Sequence, residues 1–123
     1  MDDFLLTDAR SAELPALWRR RCERAGRACV VVTTAGPWAS VELDLATTDR
    51  ELGDAGLERV QTMLFGAAHR AAENGFDEGI KVAVGPTHAY VSRCETADAL
   101  RLAEKLASEG AHAPSIDELI GEG

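Results

Sequence analysis

The chain has no charge-free apolar run near the ~20 residues that a membrane span requires, so no membrane partner is expected. Its start, Met1-Asp2-Asp3-Phe4-Leu5-Leu6, lacks the basic region and long apolar core of a secretory leader, and the expected location is cytoplasmic. Cysteine is scarce and unpaired in pattern. Cys22, Cys29 and Cys94 are odd in number and show no C-x-x-C spacing, which fits reduced, buried thiols. Glycine-rich phosphate loops of the G-x-x-x-x-G-K-[ST] or G-x-G-x-x-G kind are missing, as are H-E-x-x-H, G-x-S-x-G and EF-hand patterns, so no cofactor is expected. Basic charge is also short. The net charge is −8, and an acidic body repels the phosphate backbone that dominates nucleic-acid affinity, so no nucleic-acid partner is expected.

What is present describes a single α+β domain over residues 1–123, long enough for a real core. The charge is uneven: residues 10–27 hold six arginines against Glu13 and Glu23, +6 − 2 = +4, which leaves −8 − 4 = −12 elsewhere. Residues 1–13 read as a loosely held N-terminal arm anchored by Phe4, Leu5 and Leu6. Pro15 and Gly26 bracket a first helix over 15–25, whose apolar side (Leu14, Leu17, Trp18, Cys22, Ala25) also contains Arg21. A guanidinium there is expected to lay its stem on apolar surface and reach water with its head.

Ala28–Thr34 is β-branched, and Trp38–Leu45 alternates with period two across Ala35-Gly36-Pro37, predicting a hairpin. Gly56–Gly75 predicts the central helix, with Asp54 as N-cap and Asn74-Gly75 as the stop. Its apolar arc covers roughly 200°, wider than the ~100° one core face needs, so a second helix or subunit is expected against it. A second hairpin follows, Gly79–Val84 and Ala89–Arg93, with Val84 opposite Ala89 and Val82 opposite Val91. A last helix runs from Thr96 to about Ser108, ending before Gly110, and residues 111–123 form a C-terminal tail in which Ser115 and Glu118 have capping spacing. The expected architecture is helix-hairpin-helix-hairpin-helix: one four-stranded antiparallel sheet with helices mainly on one face.

Few residues offer chemistry. His69, His88 and His112 have no converging ligands, and a metal site needs three or four, so no metal is expected. Cys94 precedes a helix start, where N–H groups lower a thiol pKa, but Glu95 opposes this. His88 lies about 20 Å from it along the strand, too far for proton transfer. Glu42 and Asp44 sit about 7 Å apart on one strand face, a commonplace arrangement of solvated acids.

Val41-Glu42-Leu43-Asp44-Leu45-Ala46-Thr47 is similar to a strand of the STAS regulators of sigma factors, over those seven residues. That family carries an Asp-Ser phosphorylation site after its next strand; Ser92-Arg93-Cys94-Glu95 stands here, so no such site carries over. The order of elements is also comparable to that of small acidic secretion chaperones, without a motif that names them.

The resulting expectation is a non-catalytic protein-binding or regulatory domain (an adaptor, a chaperone-like protein or an inhibitor) with an unidentified protein partner and self-association into a homodimer. Its binding face comprises Trp38, Glu42, Asp44, Tyr90 and Ser92, because Trp and Tyr most often anchor interfaces. The alternative is a small enzyme or small-molecule-binding domain with a sheet-helix pocket lined by Arg21, Tyr90, Ser92 and Cys94.

Overall fold

The computed structural model describes residues 3–75 and 79–112, without the side chain of His112. The expected tail from residue 113, with its Ser115–Glu118 cap, lies outside the described residues. In chain order the elements are β1 (Leu5–Asp8), α1 (Glu13–Ala25), β2 (Cys29–Ala35), β3 (Trp38–Asp44), α2 (Asp54–Glu73), β4 (Val82–Val84), β5 (His88–Glu95) and α3 (Thr96–His112).

The sheet has the order β1-β2-β3-β5-β4, with β1 parallel to β2 and every other neighbouring pair antiparallel. This five-stranded mixed sheet replaces the expected four-stranded antiparallel one, and the helix-hairpin-helix-hairpin-helix order gains a strand at its start. Leu5–Asp8, assigned to the arm, pair with Val31–Thr34. Four residues are too few to display a period, and their partners lie far along the chain, so nothing local marks them. The helices do not share one face either. β2 is apolar on both sides: Val30 and Val32 point one way, Cys29 and Val31 the other. A strand of that kind needs cover on both faces. On the back, α2 and α3 bury Val30, Val32, Val41, Leu43 and Val91. On the front, α1 sets Trp18 and Cys22 over Cys29, Leu5 and Val31.

Local chemistry fixes the element ends. Gly36 takes φ 65° in the β2–β3 turn, and Gly26 takes φ 63° at the end of α1 while its N–H and that of Arg27 cap the carbonyls of Glu23 and Cys22. The indole Nε1 of Trp18 donates to the carbonyl of Val30 at 3.1 Å, and the Arg27 guanidinium stands 5.8 Å from the Trp18 ring centre. The α2 arc is mostly used: Val60, Leu64, Ala67 and Ala71 are buried, Leu57 and Met63 pack at the margin, and Phe65 remains half exposed.

The expected stop at Gly110 does not end α3, which continues to His112. A Cβ at Gly110 would stand 2.6 Å from Cβ of Ala28 and 3.3 Å from Cδ2 of Leu45. Its missing side chain permits close approach of the helix to the sheet rather than a left-handed turn. Gly110→Ala should therefore destabilise the fold by about 1–3 kcal/mol despite alanine's better helix propensity, because overpacking outweighs it. Urea unfolding should show a lower midpoint at unchanged slope; an equal or higher midpoint would contradict this account.

Candidate functional site

The front of the sheet is divided. α1 covers β1 and β2, and no described helix covers the front of β3, β5 and β4. Strand alternation puts Trp38, Ser40, Glu42 and Asp44 of β3 on this front, opposite the buried Ala39, Val41 and Leu43. The β3–β5 register sets Glu42 opposite Tyr90 and Asp44 opposite His88. His88 Nε2 reaches Glu42 Oε2 at 3.2 Å, and its ring stacks obliquely 5.8 Å from that of Tyr90. Glu42, His88 and Tyr90 thus form one partly exposed cluster.

The five expected face residues have different fates. Glu42 is exposed, and Tyr90 and Trp38 are half-buried on the same face. Trp38 and Glu42 are four residues apart on β3, so Trp38 lies about 13 Å from the Tyr90 row. It borders a shallow depression of about 390 Å3 with Ser40, Ser92 and Arg93. Asp44 is not a free surface acid, as expected from the sequence, but buried: Oδ2 receives Arg19 of α1 and Oδ1 receives the Ala46 N–H at 2.8 Å. Ser92 is likewise engaged, its Oγ accepting the Lys81 N–H at 2.7 Å and donating to the Gly79 carbonyl at 3.0 Å, while its own carbonyl receives the Ser40 hydroxyl.

The alternative pocket does not assemble. Between Val91 and Cys94 β5 carries two residues, where β3 carries only Ser40 between Val41 and Ala39. This extra residue reverses the alternation. Cys94 turns from the Tyr90 side to the back, fully buried beneath α2 and α3, with its thiol 3.4 Å from the Ala39 carbonyl. Arg21 lies on α1 beside Trp18 and Leu5, and β2 and β3 separate β1 from β5, about 14 Å in all. Sequence alternation could not show the bulge.

The thiols are unsuited to nucleophilic work. Burial first, then the nearby Asp98 charge, pushes Cys94 up to about 11 against the pull of Arg70. Burial and the neighbouring Cys22 push Cys29 up to about 12, and burial raises Cys22. Asp98 is held between Arg70 (3.1 Å) and Arg101 (2.5 Å); burial favours its neutral form, but these hydrogen bonds prevail and keep the carboxyl below its ordinary value. His69 pairs with Glu73 at 2.9 Å on the exposed side of α2. Among the described residues no group of three His, Cys, Asp or Glu side chains could hold a metal ion. Sequence reading missed His88 as the partner of Glu42 because their contact depends on the β3–β5 register; it also missed that Leu6, Leu14 and Leu17 stand exposed.

No family model, no curated protein and no solved structure matches the chain.

The thiol environment has a measurable consequence. A thiol raised to about 11 is almost wholly protonated at neutral pH, so native Cys94 should alkylate at least tenfold more slowly than in urea-unfolded chain at pH 8. Its rate should climb above pH 9, where an ordinary cysteine levels off. Rapid modification at pH 6 would overturn the assignment.

Proposed function

We propose that this chain is a non-catalytic protein-binding domain of adaptor, chaperone-like or inhibitory type, acting in the cytoplasm as a homodimer. The observation that carries the reading is the uncovered half of the sheet front, where Glu42, His88 and Tyr90 stand in one cross-strand cluster with Trp38 further along the same face. Half-buried aromatic rings with polar tips suit an interface that is apolar at its centre and wet at its rim. Self-association is assigned to a separate surface, that of α2, where Phe65 stands half exposed. The small-enzyme reading has less support, since its pocket residues point to different layers.

Once a partner is in hand, replacing both Trp38 and Tyr90 by Ala should weaken capture by at least a hundredfold, about 2.7 kcal/mol, with thermal unfolding little changed. Capture at unchanged affinity would move the interface elsewhere. Sedimentation at micromolar concentration should give twice the 13.1 kDa chain mass, and Phe65→Ser should shift it towards monomer. A monomer at all concentrations removes the dimer from the proposal.

A further inference from the structure

A second surface, remote from Trp38 and Tyr90, is open at the β1 end of the sheet. β1 is an outermost strand, and among the described residues no strand lies beyond it. The Ala9 N–H reaches the Thr34 carbonyl at 3.1 Å on the β2 side. Backbone groups alternate along a strand, so those of Leu6 face outward. This edge forms the floor of a groove of about 600 Å3, bounded by Trp18 and Arg21 of α1 on one side and Leu100 and Glu104 of α3 on the other. A slot between two helices therefore runs beside the outer edge of the sheet.

Three further observations distinguish this edge. Of the four large apolar side chains that stand exposed among the described residues, Leu6 (52%) lines this groove with Leu100, while Leu14 and Leu17 (46% and 55%) line the adjoining one on the α1 side. The adjoining groove of about 410 Å3 is lined by Arg20, Arg21 and Arg24 and, among the described residues, by no acid. The same strand carries Thr7, whose Oγ1 is buried and has no hydrogen-bond partner among the described residues. An outward backbone edge, an exposed leucine and a cluster of guanidinium groups thus lie side by side.

We propose that an extended segment of a partner protein, alternating aliphatic and acidic residues, adds to β1 as a sixth strand. Its backbone pairs with the outward groups of Leu6, its aliphatic side chains pack on Leu6 and Leu100, and its carboxylates meet Arg21 and the arginines beside it. A second copy of this chain fits the edge poorly: isologous pairing of β1 with β1 would bring the same arginine-rich helix of each copy together, with like charges opposed. An acidic segment avoids that opposition when its carboxylates turn to the α1 side and its aliphatic side chains to the α3 side, where Glu104 stands.

The test uses the full chain and a labelled peptide alternating valine and glutamate, with binding followed by fluorescence anisotropy. Binding should weaken at least tenfold for Arg21→Glu, and similarly on raising the salt from 50 mM to 500 mM. It should be lost when the peptide's strand-forming N–H groups are methylated on one edge, or when Leu6 is replaced by proline, which removes the outward donor. Arg21→Glu keeps the test decisive if the proline variant melts early. Trp38→Ala with Tyr90→Ala should leave peptide affinity unchanged, which separates this surface from the one proposed above. Equal binding of a valine–lysine peptide, or binding indifferent to backbone methylation, overturns the inference. So does a dimer dispersed by Leu6→Pro, or a chain ending at His112 that binds tenfold more tightly, because the occupant is then a second copy or the chain's own residues 113–123.

Discussion

Much of the architecture follows from the apolar character of β2 on both of its faces. Val30 and Val32 need α3 and the back core, while Cys29 and Val31 need α1 in front. One helix of 13 residues is about 20 Å long and one helix wide, enough to roof two strands but not five. The division of the front into a covered and an open half is thus a result of helix supply. Arg19 of α1 reaching Asp44 of β3 marks where that cover ends. Beyond this line the sheet front carries polar and aromatic side chains rather than aliphatic ones, and the strand pattern matches that boundary: the front residues of β3 and β5 include Glu42, His88 and Tyr90, where those of β2 include Cys29 and Val31.

A single inserted residue decides which chemistry the molecule offers. In regular alternation Cys94 would share a face with Tyr90 and Ser92. The bulge in β5 places it in the core instead, where burial keeps it protonated, and the backbone that the bulge displaces is tied by the Ser40 hydroxyl to the Ser92 carbonyl. Ser92 secures the approach to β4 through Lys81 and Gly79. Two hydroxyls that look like surface recognition groups in the sequence are therefore occupied in holding an irregular strand.

The sequence disclosed what depends on near neighbours. The β4–β5 pairing of Val84 with Ala89 was legible because alternation and a short turn leave one consistent register. The ends of α1 and α2 were legible to within two residues from Gly26 and Asn74. What escaped was long-range: β1, which pairs 26 positions away (31 − 5) at Leu5↔Val31, and the β3–β5 register that unites Glu42 with His88. One clue to the fifth strand was present. The unbroken Val30-Val31-Val32 run has no polar face, which signals cover on both sides rather than on one. Gly110 shows the converse ambiguity, since a glycine near a helix end reads as a terminator whether its use is backbone freedom or absent bulk.

The parallel union of β1 with β2 has a kinetic meaning. Each antiparallel hairpin closes over a short turn, whereas β1 can settle only after α1 has folded back across the sheet, so its loop-closure entropy is repaid late. Four residues held along one side by a distant strand make a small cooperative unit, and such units open at a lower free energy than the protein as a whole. The margin of the sheet nearest the arginine helix is thus expected to open to solvent at a lower free energy than the central strands, while the rest stays folded.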